Sequence, residues 1–152
     1  MIFKKDNNAS LDILQKKNIL LNSKEVQRVE VIKKLGTLLV ESGYVNSNYI
    51  EAMIEREKTF ATYMGNGIAL PHGVEGAKEE ILASGIAIMI VPDGVDWNGE
   101  SAKVIIAIAG KGDEHLDILG NIASKLGEEE AVEELLTMNL DEVYEFITRK
   151  ED

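Results

Sequence analysis

Two branched apolar runs constrain this chain more than any other feature: Gly85 to Val91, reading Gly-Ile-Ala-Ile-Met-Ile-Val, and Lys103 to Ala109, reading Lys-Val-Ile-Ile-Ala-Ile-Ala. Branching at Cβ stiffens the side chain and suits a pleated backbone better than a helix. Neither run alternates between apolar and polar, so neither suits a strand with one wet face. Near-continuous apolar strands belong in a sheet covered on both sides. The covering layers are visible as helical periodicity. After Ser23, a candidate N-cap, Val26, Val29, Ile32, Leu35 and Leu39 recur on one face until Gly43. A second helix is expected from Asn46 to Glu57, with Asn48 and Glu51 spaced as a capping box and Ile50, Met53 and Ile54 on its apolar face. From His115 a third helix is expected, with Leu116, Leu119, Ile122, Ala123 and Leu126 as its stripe. Two shorter helices follow at 128–138 and 140–150, the last with Asp141 and Glu142 early and Arg149 and Lys150 late, as the helix dipole favours. Helices, then strands, then helices predict an α/β single-domain layered sandwich, a central mixed β-sheet flanked by helices on both faces. No internal repeat, low-complexity tract or long linker divides the chain, so 1–152 reads as one domain.

Between the second helix and the long strands the texture changes. Thr59 to Gly67 is small, polar and Gly-containing and reads as a loop, followed by a short strand, Ile68-Ala69-Leu70, stopped by Pro71. Pro92-Asp93-Gly94 and Trp97-Asn98-Gly99 read as turn material between the two long runs.

The available chemistry is narrow. The chain has no Cys and only two His, which removes disulfides, thiolate catalysis and Cys-ligated metal clusters together. With a net charge of −11, counterion release from a polyanion is not available to it, so no nucleic-acid partner is expected. The charge is graded: residues 1–34 carry +4, residues 35–112 carry −5 and residues 113–152 carry −10. The acidic end reads either as a solvated helical face or as an attraction for a basic protein. Nothing after Lys4 and Lys5 resembles a targeting segment, and no apolar run nears the roughly 20 residues of a membrane span. A soluble cytoplasmic protein is the expectation.

His72 stands in Leu70-Pro71-His72-Gly73, just past the short strand. Strand ends hold side chains rigidly beside open loops, so the residue reads either as a functional imidazole or as a polar loop residue. His115 follows Lys111-Gly112-Asp113-Glu114 beyond the second long strand, and the two imidazoles share one sheet edge if the short strand and that long strand are neighbours. Neither spacing is that of a zinc or EF-hand site, so no metal is assigned. Gly65-Asn66-Gly67 is not continued as a nucleotide-binding loop, and no Gly-x-Ser-x-Gly elbow is present.

The segments Glu55-Arg56-Glu57-Lys58, Thr62 to Gly73 (Thr-Tyr-Met-Gly-Asn-Gly-Ile-Ala-Leu-Pro-His-Gly), Pro92 to Trp97 and Gly110-Lys111-Gly112-Asp113-Glu114-His115-Leu116 occur in that order. Together they resemble the mannitol/fructose-type enzyme IIA family of the bacterial phosphoenolpyruvate-dependent sugar phosphotransferase system. The likeness runs from about residue 10 onward, and Asp113 to Leu116 with Tyr63-Met64 is more similar to the mannitol branch. The resemblance implies a phosphocarrier without cofactor. The histidine matching His72 would accept a phosphoryl group on Nε2 from a phosphohistidine of HPr and pass it to a cysteine of enzyme IIB, for mannitol uptake through the membrane IIC permease. His115 matches the family's second histidine and Arg56 its arginine. Because the chain stops at Asp152, IIB and IIC are expected on separate polypeptides. Two alternatives stand beside this expectation: a nitrogen-type regulatory enzyme IIA, in which phosphorylation switches affinity for target proteins, and a metal-dependent enzyme using both histidines.

Overall fold

A computed structural model describes residues 13–149. The start of the family likeness at residue 10, the region after Lys4 and Lys5, and the expected helix end at Lys150 lie outside the described residues. The sheet has five strands, β1 (Ile19–Leu20), β2 (Tyr63–Gly65), β3 (Ile68–Ala69), β4 (Gly85–Trp97) and β5 (Glu100–Ala109), in the order β1-β4-β5-β3-β2. The pairings β1 with β4 and β3 with β5 are parallel, while β4 with β5 and β2 with β3 are antiparallel, so the sheet is mixed as expected.

The two apolar runs form the centre of this sheet and divide their side chains between two cores. Ala87, Met89, Val91, Ile105, Ala107 and Ala109 face one cluster, together with Ile32, Leu35 and Leu39 of α1 (Arg28–Glu41) and Met53 of α2 (Asn48–Thr59). Ile86, Ile88, Ile90, Val104, Ile106 and Ile108 face the other. There they meet Ile118, Ile122 and Leu126 of α3 (Glu114–Leu126), Val132 and Leu135 of α4 (Glu129–Leu135), and Val143 and Ile147 of α5 (Leu140–Thr148). Period-2 geometry sends successive side chains to opposite faces, so an unbroken apolar run is what two covered faces require.

Several local expectations need correction. The first helix begins at Arg28, not after Ser23, because the preceding residues follow β4: the Ser23 N–H donates to the Ile90 carbonyl (3.0 Å), and Gln27 bridges Asp96. Val26 is therefore off the helix and 67% exposed, and Val29 is also exposed, leaving Val31, Ile32, Leu35 and Leu39 as the buried face. The Asn48/Glu51 capping box is absent. Ser47 is already helical, and the first turn is bonded to backbone carbonyls, Tyr49 N–H to Asn46 and Ile50 N–H to Ser47. A reciprocal capping box does form at Asn139 and Glu142, at the start of α5.

The segment read as a loop from Thr59 to Gly67 contains β2. Asn66-Gly67 is the two-residue turn of the β2–β3 hairpin, with both residues at positive φ (55° and 81°), and Asn98-Gly99 does the same between β4 and β5 (57° and 95°). This left-handed pair matches the twist of the flanking strands. Pro92-Asp93-Gly94 is no chain reversal: β4 passes through it, with the register against β5 shifting between Ile90 and Val95. A register shift tolerates a proline that offers no ladder donor. In α3, Leu116 leaves the expected stripe and is 70% exposed, while Ile118 is buried in its place.

Candidate functional site

The site lies at the carboxyl ends of β3 and β5. Because these strands are parallel neighbours, the residues that leave them emerge at the same edge. His72 extends that pairing by a bridge to Ile108, and the Ile108 N–H donates to the Pro71 carbonyl (2.9 Å). Beyond β5 the chain turns at Gly110 and enters α3, whose second residue is His115. A Cβ on Gly110 would fall 2.3 Å from the His115 Cα, so only glycine allows the helix to start this close to the strand. The two imidazoles meet edge to face, with centroids 5.3 Å apart and planes at 61°. The conditional expectation that both histidines share one edge is met, and the helix that carries Arg56 packs beside them.

His72 is half-buried, and its Nδ1 lies 2.8 Å from the Leu70 carbonyl oxygen. A carbonyl can only accept, so Nδ1 carries the proton and Nε2 keeps its lone pair. Burial lowers the His72 pKa below its ordinary value. The Leu70 carbonyl opposes that shift, the Arg56 charge adds to it, and the Glu57 carboxylate opposes it. The ring is thereby biased towards the neutral, nucleophilic form.

Arg56 stands in the last turn of α2. Its Nη1 donates to the Phe60 carbonyl (2.7 Å), and its guanidinium lies 5.5 Å from the Phe60 ring centroid. Arg56, His72 and His115 line one open cleft of about 450 Å³ with Tyr49, Lys78 and Asp113. Two cations against one carboxylate make the lining suited to an anion. Among the described residues no group of three or more His, Asp or Glu side chains could hold a metal ion. The run Glu128-Glu129-Glu130 is exposed at the start of α4 and does not line this cleft.

Four contributors escape the sequence reading. Tyr49 is buried, and its hydroxyl bridges the Gly73 N–H (2.9 Å) and the Ile108 carbonyl (2.8 Å). Its position seven residues before Arg56, two turns along the same helix face, was the available signal. Glu57 is buried and accepts from the Thr62 N–H (2.9 Å), the Thr62 hydroxyl (2.7 Å) and the Trp97 indole N–H (2.7 Å). It thereby holds the end of α2 against β4. Trp97 reads in sequence as turn material, yet its side chain is fully buried. Lys78 lies in a short 3₁₀ segment, Glu75–Glu80, and nothing in its local pattern marks it.

Residues 12–150 match the family model described as phosphoenolpyruvate-dependent sugar phosphotransferase system, EIIA 2. A mannitol-specific phosphotransferase enzyme IIA component of Halalkalibacterium halodurans is 49% identical over 129 residues, covering 85% of this chain and 89% of the relative. One from Bacillus subtilis is 49% identical over 133 residues, covering 87% and 93%. Among solved structures, the complex of enzyme IIAMTL and phosphorylated enzyme IIBMTL from Escherichia coli superposes with a TM-score of 0.83 at 34% identity, over 90% of this chain and 99% of that one.

Proposed function

The chain belongs to the EIIA 2 family of the phosphoenolpyruvate-dependent sugar phosphotransferase system, and on that premise we propose that it is the phosphocarrier of a mannitol uptake system. In this reading residues 1–152 act as one cytoplasmic domain that takes a phosphoryl group from phospho-HPr on His72 and gives it to enzyme IIB. Enzyme IIB in turn serves the membrane IIC permease. Among the described residues no helix is long and apolar enough to cross a membrane, which agrees with a carrier that meets the permease only through a partner.

The observation that carries the proposal is the His72 ring: Nδ1 is tied to the Leu70 carbonyl, so Nε2 is left as the nucleophile beside Arg56 and His115 in an open cleft. In the transfer the Nε2 lone pair forms the new N–P bond as the donor's N–P bond breaks, and that electron pair stays on the donor nitrogen. Positive charge develops on the His72 ring, where the Leu70 carbonyl already accepts from Nδ1–H. The loose transition state spreads negative charge over three equatorial oxygens, and catalysis is mainly positioning and neutralisation. Arg56 supplies a fork of donors and His115 a ring N–H for those oxygens. No nucleotide loop is needed when the phosphoryl group arrives on a protein.

Two proteins must dock in turn over this cleft. Leu116 on its lining, with Phe60 against Arg56 and Leu82 next to the lining residue Ile81, gives it an exposed apolar rim. Exposed large apolar side chains around a polar centre are a common docking surface. The names of the 49% identical relatives favour transport over the nitrogen-type regulatory alternative.

The test is phosphorylation with enzyme I, HPr and labelled phosphoenolpyruvate. The wild-type chain takes an acid-labile label, His72→Ala takes none, and His115→Ala takes a stable label more slowly. Label that persists on His72→Ala would overturn the assignment of the nucleophile. Onward transfer to a mannitol enzyme IIB, and not to the IIB of another sugar, tests the specificity.

A further inference from the structure

Beyond the residues that touch the phosphoryl group, the cleft contains a buried hydroxyl with two partners on two different segments of the site. Tyr49 projects from the first turn of α2, the helix that also carries Arg56. Its hydroxyl accepts from the N–H of Gly73, the residue directly after His72, and donates to the carbonyl of Ile108, the β5 residue bridged to His72. Both bonding capacities of the hydroxyl are thus used inside the site. The ring contact is equally close: a Cβ on Gly73 would sit 2.5 Å from the Tyr49 Cε1. The helix with the arginine, the loop with the nucleophile and the neighbouring strand therefore meet at one oxygen.

We infer that Tyr49 is a positioning residue for phosphoryl transfer: its hydroxyl fixes the loop in the form that keeps the Leu70 carbonyl on His72 Nδ1, and it holds α2 at the depth that brings Arg56 to the cleft. Burial supports that role, since it pushes the Tyr49 hydroxyl up to about 12 and keeps it a donor to Ile108 at every working pH. Core packing alone would be met by phenylalanine, which fills the same space without bonding Gly73 or Ile108. The inference rests on His72 being the phosphorylated residue.

Tyr49→Phe is the decisive variant, measured by phosphoryl transfer from phospho-HPr and by the ¹⁵N shifts of the His72 ring. The expected result is a kcat about tenfold lower with KM for HPr within about twofold, because the transition-state geometry is loosened and the docking surface is not. The ring spectrum should shift towards a mixture of Nδ1–H and Nε2–H tautomers. Tyr44→Phe is the control: this tyrosine is also buried, but its hydroxyl accepts from Gln15 outside the cleft, so transfer and the His72 spectrum should match wild type even if stability falls. Gly73→Ala approaches the same contact from the loop side and should reproduce the Tyr49→Phe spectrum. A Tyr49→Phe protein with wild-type kcat and an unmixed Nδ1–H tautomer overturns the inference, as does an equal loss of transfer in Tyr44→Phe. If wild type itself carries its label elsewhere than His72, the phosphocarrier assignment fails first, and the two failures are distinguishable.

Discussion

In the proposed reading His72 must be neutral to attack phosphorus, and its surroundings bias it that way more by desolvation than by charge. Arg56 lowers the pKa further while Glu57 and the Leu70 carbonyl raise it, so the net direction is down from the ordinary 6.5. The unfolded chain therefore binds a proton at His72 before the folded one does, and stability rises with pH across that window. The contribution of the neutral ring is fully present above about pH 6.5 and is lost as pH falls through the depressed folded value. Two outcomes are expected in one pH series. The rate of phosphoryl acceptance should fall to half only at a pH below the ordinary value of about 6.5, and the acid-side slope of stability should shrink in His72→Ala. A rate that already halves near pH 7 would show a ring less buried than the structure has it.

At the scale of elements, the end of α2 depends on a carboxylate that reads in sequence as an ordinary charged helix residue. Glu57 accepts three hydrogen bonds, from the Thr62 backbone, the Thr62 hydroxyl and Trp97. Glu57→Ala leaves the Thr62 N–H and the indole N–H without their acceptor in a buried position, and should cost about 3 kcal/mol or more. Glu57→Gln keeps one oxygen for those two donors, and its amide N–H can donate a hydrogen bond to the Thr62 hydroxyl oxygen, so it should cost about half as much. Urea titration read by fluorescence of Trp97, the single tryptophan, measures both. The same residue shows where sequence reading stops. The long strands were legible because unbroken branched runs have one natural habitat, and His72 and His115 because both follow strands that turn out to be parallel neighbours. Glu57 was not, since its donors lie 5 and 40 positions away and only the tertiary fold gathers them. Tyr49 was hidden differently: a tyrosine on a helical face looks like core, and only its polar end distinguishes it. The β2–β3 hairpin is not legible in the sequence although Asn66-Gly67 signals such a turn, because β2 lacks the apolar alternation that marks a strand.

For the whole molecule, the two cores are one structural unit because they share β4 and β5. Ile86, Ile88 and Ile90 pack towards α3, α4 and α5, while the interleaved Ala87, Met89 and Val91 pack towards α1 and α2. A strand cannot leave one layer without leaving the other, so loss of packing on either face should unfold both. This coupling matters to the site, which draws Arg56 and Tyr49 from one layer and His115 from the other across the shared sheet edge. Leu126, almost fully buried in the last turn of α3, offers the test, because Trp97 reports from the opposite core. Leu126→Ala should destabilise the chain by about 2–5 kcal/mol. The Trp97 fluorescence transition should move to lower urea by the same amount as the far-ultraviolet circular dichroism transition, with an unchanged slope, as for one cooperative unit. A fluorescence midpoint left in place while the dichroism midpoint falls would mean that the layers unfold separately. The arginine and tyrosine would then remain folded when the second histidine is lost, and the site could not be treated as a single preorganised cleft.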